Sequence, residues 1–325
     1  MPEPGERILL TGATGFVGRA VCPALRAAGW RVRCLSRGAR PADADPRDEW
    51  VEGEVGDHAA VGQALAGCAA ALYLVHGMGD GPDFHAREVA AARTFARAAG
   101  EAHLRRVVYL GGMVPETDAS EHLQSRREVG VVLRSGAVST VELRASMIVG
   151  HGSLSWLIVR DLAARLPVMV LPAWLKSRTQ PVAIDDVVAA LVAALELPIA
   201  GSVRYDIPGP EVLSGEQILD QTARALGFAP AWKMKVPLLN PRLSSLWVRF
   251  VTRAKWSVAR QVVVGLTHDL LAKDDGLWPA IGYGARMPFR EAARRAIEEE
   301  RNENVLGPWA TVERLRKMAS GQKPA

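Results

Sequence analysis

The sequence predicts an α/β fold, a doubly wound parallel sheet with a smaller helix-rich C-terminal cap. Three observations predict it. Short apolar runs alternate with Ala-rich helical segments through the first half, the pattern of repeated βαβ units. A glycine-rich turn, LLTGATGFVGRA, joins the first apolar run to the first helix. After residue 150 this rhythm gives way to helical patterns, and five of the nine Trp lie between Pro230 and Lys317.

In chain order, RILLTG, RVRCLSR, WVEGEV, AALYLVHG, RRVVYLGG and TVELRASMIVG read as strands, being short, apolar and bounded by Gly or charge. Between them GRAVCPALRAAG, HAAVGQALAGC, FHAREVAAARTFARAAG and SEHLQSRREVGVVLRSG have helical apolar spacing, several closed by Gly. VAIDDVVAALVAALELP is a further helix whose Asp185 and Asp186 favour its N-terminal dipole. VRYDIPG reads as a late strand, and Ser214 and Gln217 hold capping-box positions. FREAARRAIEEERNE mixes both charge signs and reads as a solvated helix. Single cores stop growing at roughly 250–300 residues, so the 325-residue chain is divided: 1–150 with about 178–207 as the sheet domain, 151–177 with 208–325 as the cap.

Composition narrows the function. Net charge is +5 and the pI near 9.3, but acidic residues are interspersed with basic ones, which excludes the basic stripe of a nucleic-acid binder. Cys22, Cys34 and Cys68 lack metal-ligand spacing, sit in apolar surroundings and read as buried thiols in a reducing cytoplasm. The acidic start MPEPGERILL is unlike a signal peptide. The apolar run LPVMVLPAWL is about half the roughly 20 residues of a membrane span.

The glycines of the first turn carry chemistry. Gly12, Gly15 and Gly18 follow a strand and open a helix, so the N–H groups around Thr14, Phe16 and Val17 can meet a pyrophosphate. In that setting a Rossmann-type dinucleotide site is expected. The second strand ends in Ser36 and Arg37 instead of a carboxylate, which favours NADP(H) over NAD(H), because an Arg accommodates a 2′-phosphate. Asp57 faces the adenine or caps the next helix, and Val75 lies at the end of the fourth strand.

TGATGFVG, the Gly56-Asp57 pair and the YLGG strand end resemble the short-chain dehydrogenase/reductase superfamily in its extended, atypical branch. SEHLQSRREVG, ELRASMIVGHGS, RLPVMVLPAWLKSRTQPVAIDDV and SSLWVRFVT are similar to a bacterial NmrA-like, NAD(P)H-binding group. The resemblance implies a Ser at the end of strand five and a Tyr with a Lys four residues later. Here Gly111 or Gly112 stands where Ser would be, the helix offers His122 and Arg126, and none of the four tyrosines has Lys four residues on.

His122 and Arg126, four apart, share a helix face. Arg126 can hold ribose hydroxyls as the Lys would, and its charge favours a neutral His122 able to relay protons. His76 and His151 sit at strand ends, where open α/β sheets bind ligands, and complete the set of candidate catalytic residues. The second-half residues Trp156, Trp174, Trp247 and Trp256 read as core. The expected function is an NADP(H)-dependent oxidoreductase acting on a small carbonyl or enone under the cap. The alternative is a non-catalytic NAD(P)H-binding sensor or scaffold that presents its cap to a protein partner. A membrane-surface role for SSLWVRFVTRAKWSVAR is explained more simply by burial.

Overall fold

The computed structural model describes residues 2–3, 5–75, 83–115, 121–165, 168–171, 176–235 and 268–302. Along the chain run β1 (Arg7–Thr11), α1 (Phe16–Ala27), β2 (Arg31–Ser36), β3 (Glu49–Glu52), α2 (His58–Leu65), β4 (Ala70–Tyr73), α3 (Phe84–Glu101), β5 (Arg106–Gly112), α4 (Glu121–Arg134) and β6 (Thr140–Ala145). Then come β7 (Ile148–Val149), α5 (Leu154–Arg165), β8 (Val168–Leu171), β9 (Arg178–Thr179), β10 (Val182–Ala183), α6 (Ile184–Ala194) and β11 (Val203–Asp206). The described remainder holds β12 (Leu213–Ser214), α7 (Gly215–Ala225), β13 (Trp232–Lys235), α8 (Leu277–Ala280) and α9 (Phe289–Asn302). The SSLWVRFVTRAKWSVAR segment, His76, Trp174, Trp247 and Trp256 lie outside the described residues.

The chain divides into two compact units, 1–145 with 185–207 and 272–285, and 146–184 with 208–271 and 286–325. In the first, seven parallel strands run β11-β6-β5-β4-β1-β2-β3. The order reverses beside β1, where β2 and β4 flank it on opposite sides, and a crevice opens at such switch points. Ile8, Leu9 and Leu10 are completely buried, as expected for a strand covered on both faces. On one face Leu9, Tyr73 and Tyr109 pack with Phe95 of α3 and Val129 and Leu133 of α4. Burying one such side chain contributes roughly 1.5–3 kcal/mol.

Two expectations need correction here. TVELRASMIVG is not one strand: it breaks after Ala145, because Ser146 Oγ donates to the Gln180 carbonyl at 3.0 Å and the Met147 carbonyl accepts from Val182 N–H at 2.9 Å. The chain is thereby drawn into a separate two-stranded pair, β10 with β7, in the second unit. Nor is FREAARRAIEEERNE merely solvated. Its helix, α9, buries Phe289, Ala292, Ala293, Ala296, Ile297 and even Glu300, while Arg294, Glu291 and Glu298 pair on the exposed side.

The second unit is organised around Trp156, Ile158, Leu219, Phe289 and Ile297. Within it the Arg160 guanidinium binds Asp161 at 2.7 Å and Glu300 at 2.8 Å, and Trp156 Nε1 donates to the other Glu300 oxygen at 3.1 Å. α7 begins with the expected capping box between Ser214 and Gln217. Among the described residues no helix is long and apolar enough to cross a membrane.

Candidate cofactor and active site

The glycine turn is dictated by contact. Gly12 takes a φ of +73°, and a Cβ there would lie 2.9 Å from the Leu74 carbonyl oxygen. At Gly18 a Cβ would collide with the Gly12 carbonyl oxygen and lie 2.7 Å from Ala13 Cα. Thr11 fastens the turn to the neighbouring strand, its hydroxyl donating to the Leu72 carbonyl at 3.3 Å and accepting from Leu74 N–H at 3.1 Å. Gly15 caps α1 in extended conformation without a side-chain hydrogen bond. The N–H groups of Phe16, Val17 and Gly18 therefore have no intrahelical acceptor. A positive helix end with free donors fits a pyrophosphate. Val75 follows β4, next to Leu74.

At the end of β2, Ser36 Oγ accepts from Gly38 N–H at 3.3 Å, and Arg37 is exposed. The loop beyond is tied to α1 through Arg26, which binds Asp48 at 2.7 Å and Asp45 at 3.4 Å. Cys22 belongs to this polar knot, donating to Asp48 at 3.3 Å and accepting from Arg26 at 3.2 Å; all three cysteines are free and buried, but Cys22 is not in apolar surroundings. β3 also sets Glu52 level with Ser36, a carboxylate that the reading of β2 alone misses. Asp57 is the N-cap of α2, accepting from Ala59 and Ala60 N–H at 2.9 and 3.3 Å.

The strand end of β5 meets α4. Tyr109 OH donates to the Arg126 carbonyl at 3.1 Å, and Ser125 Oγ donates to the Glu88 carboxylate on α3, so both neighbouring elements hold the helix. Tyr109 also stacks edge-on against Tyr73, with centroids 5.9 Å apart. The Arg126 side chain lies against Gly112, where a Cβ would stand 3.2 Å from its Cδ and 3.4 Å from one guanidinium nitrogen. His122 stacks on Phe84 with centroids 6.0 Å apart and planes 25° from parallel. Both side chains are partly accessible as a whole, yet His122 Nδ1 and Arg126 Nε are shut from solvent and make no hydrogen bond. Buried polar atoms without a partner are uncommon in folded proteins.

Burial, and then the charge of Arg126, push the His122 pKa from 6.5 down to about 3. Burial also lowers the pKa of Arg126, although a guanidinium stays charged in a protein. His122 is thus a neutral imidazole across the physiological range. A base with a depressed folded-state pKa binds its proton more readily when unfolded, so its contribution to stability is complete above 6.5 and is lost as pH falls towards 3. His122→Gln is expected to flatten this part of the acid limb, as measured by urea unfolding between about pH 7 and 4. An unchanged slope refutes the assignment.

His122 and Arg126 both lie on α4, close enough for the Arg126 charge to depress the His122 pKa. His151 is different: it follows β7 in the second unit, so it does not end a strand of the large sheet. Sequence reasoning missed Phe84, Glu88 and Tyr109. Phe84 and Glu88 stand four apart on α3, a spacing that places both on one helix face.

A family model described as NAD(P)H-binding matches residues 12–165. The (4-alkanoyl-5-oxo-2,5-dihydrofuran-3-yl)methyl phosphate reductase of Streptomyces griseus is 35% identical over 231 residues, covering 68% of this chain and 74% of that protein. The chain belongs to an NAD(P)H-binding family. The ceramide reductase of Caulobacter vibrioides is 29% identical over 69% of this chain and 71% of that protein. The Bordetella bronchiseptica enzyme WbmH, solved in complex with NAD+, shares the fold with a TM-score of 0.68 at 16% identity, covering 91% and 98% of the two chains. The matched residues begin at Gly12 of the β1–α1 turn, where neither Gly12 nor Gly18 leaves room for a Cβ.

Proposed function

We propose that this protein is an NADPH-preferring reductase that delivers hydride to a carbonyl or enone substrate. One observation carries the reading: in a chain of an NAD(P)H-binding family, Arg126 Nε and His122 Nδ1 stand unpartnered at the β5 strand end. The bound dinucleotide supplies the hydride chemistry. Phe16, Val17 and Gly18 hold the pyrophosphate through N–H groups, with Gly12, Thr14 and Gly15 shaping the turn, and Val75 lines the same crevice. Ser36 and Arg37 receive the adenosine ribose and its 2′-phosphate. Asp57 acts at that end through its cap on α2. Arg126 holds a ribose hydroxyl or a substrate oxygen, and His122, neutral, donates or passes on a hydrogen bond. His76 and His151 remain candidates for the substrate side.

Both curated relatives are named as reductases of molecules that bear acyl groups. By analogy the substrate here is apolar and acyl-bearing. The decisive experiment titrates the protein with NADPH and NADH, then follows single-turnover oxidation across carbonyls, enones and quinones. Tight binding without any oxidation removes the reductase reading. It leaves the second one, a non-catalytic NAD(P)H sensor with a protein partner, which draws its support from a His122 too weakly basic to store a proton.

The coenzyme preference has its own test. Arg37→Ala is expected to weaken NADPH binding about 10-fold, about 1.4 kcal/mol, while NADH affinity holds. Equal losses for both coenzymes refute a 2′-phosphate contact. Glu52→Gln checks the opposing carboxylate and is expected to tighten NADPH.

A further inference from the structure

We infer that Cys22 and Cys34 form a modification site for hydrogen peroxide, closing to a reversible disulfide that loosens the segment beginning at Arg37. The two thiols belong to neighbouring elements of one unit. Leu35 packs with Val61 of α2 and Phe95 of α3, and side chains alternate along a strand, so Cys34 of β2 points to the opposite face of the sheet. There it meets Cys22, one of the buried residues of α1, thiol to thiol. Register agrees with this placement. Cys34 pairs with Trp50 across β2 and β3, which puts Asp48, two residues before Trp50, on the same face, and the Cys22 thiol donates to its carboxylate at 3.3 Å.

The reactive sulfur is that of Cys22. The hydrogen bond from Cys34 holds the Cys22 thiol below the usual thiol range, against burial and the Asp48 carboxylate, and Arg26 at 3.2 Å adds a positive charge. Cys34 is pushed up by the same hydrogen bond and by burial. Thiolates are the nucleophiles, and Cys22 keeps 9% exposure where Cys34 has none, so peroxide meets Cys22 first. Its sulfur attacks one peroxide oxygen: the S–O bond forms, the O–O bond breaks, and the hydroxide that leaves takes the Cys22 proton, giving water and a sulfenic acid. The Cys34 sulfur then attacks the Cys22 sulfur. The S–S bond forms, the S–O bond breaks, and hydroxide leaves with the Cys34 proton as a second water. Two thiols lose two electrons, and the peroxide gains them.

The disulfide acts on the loop through Asp48. Once bonded to Cys34, Cys22 has no S–H to give to that carboxylate, whose Oδ1 is already shut from solvent without a partner. Arg26 is left to hold it, at 2.7 Å. The tie between α1 and residues 37–48 weakens, and Arg37 opens that segment. The effect on coenzyme therefore rests on the proposed 2′-phosphate contact at Arg37, whereas the disulfide does not.

The test treats the full, reduced chain with hydrogen peroxide, alkylates the remaining thiols and maps the peptides by mass. Two of the three free thiols are expected to disappear into a Cys22–Cys34 cross-link while Cys68 is alkylated, and dithiothreitol should restore both. Cys34→Ala should stop at a Cys22 sulfenic acid that dimedone traps, and Cys22→Ala should leave Cys34 unoxidised. In an NADPH titration the cross-linked wild type should bind about 10-fold more weakly than the reduced protein. Cys22→Ala also lacks the S–H, and should bind as weakly before peroxide as after it. Cys68 lost as readily as the pair, or Cys22 and Cys34 still alkylated after peroxide, overturns the site. Unchanged NADPH affinity in cross-linked protein overturns the loosening. NADPH bound in neither state removes the coenzyme reading instead, and the peptide map still decides the disulfide.

Discussion

Gly18→Ala is expected to weaken NAD(P)H binding at least about 100-fold, about 2.7 kcal/mol, as read by quenching of protein fluorescence. The cause is steric. The new methyl would collide with the Gly12 carbonyl and approach Ala13 Cα to 2.7 Å, and both are backbone that cannot rotate away. The first turn of α1 must shift, and with it the N–H groups proposed to hold the pyrophosphate. Overpacking should also cost about 1–3 kcal/mol of stability, so thermal unfolding has to be measured beside the titration. Gly62→Ala on α2, where a Cβ meets nothing within 4 Å, provides the control and should bind normally. Normal binding by the Gly18 variant would place the dinucleotide elsewhere.

Glu300→Ala is expected to destabilise the protein by about 3–5 kcal/mol, because the buried Arg160 and Arg165 would then share the single carboxylate of Asp161, leaving excess positive charge. Glu300 is 3% exposed and holds both Arg160, at 2.8 Å, and Trp156 Nε1, at 3.1 Å. Glu300→Gln keeps the shape and an acceptor, and should recover part of the loss. Chemical denaturation followed by Trp fluorescence checks both variants. A loss below about 1 kcal/mol for alanine would mean that the pair is solvated like an exposed one.

The sequence already shows the repeating βα units, the glycine turn and the His122–Arg126 pair, because each rests on short-range regularities. The shared helix face of His122 and Arg126 follows from their spacing. Other features depend on partners distant in sequence. The break at Ser146 is decided by Gln180 and Val182, and the burial of Glu300 by Trp156 and Arg160, more than a hundred residues earlier. In the candidate site, Gly112 could be read as a departure from Ser at a strand end, but nothing local says that the Arg126 stem fills the vacated space. Glu52 escaped notice for the same reason, since its neighbour Ser36 lies across a strand pair.

The path of the chain has a consequence for synthesis. The polypeptide leaves its first unit after Ala145, returns at Asp185, leaves after Ile207 and returns again at Ala272. A nascent chain that has emerged only to residue 165 still lacks β11, the strand that pairs along β6. Until it arrives, β6 is a bare edge with unpaired N–H and C=O groups, open to the wrong neighbour. The ribosome must therefore deliver the distal segments before the proximal sheet is safe from aggregation, and a fragment that starts at residue 1 and ends at residue 165 should aggregate more readily than the whole chain.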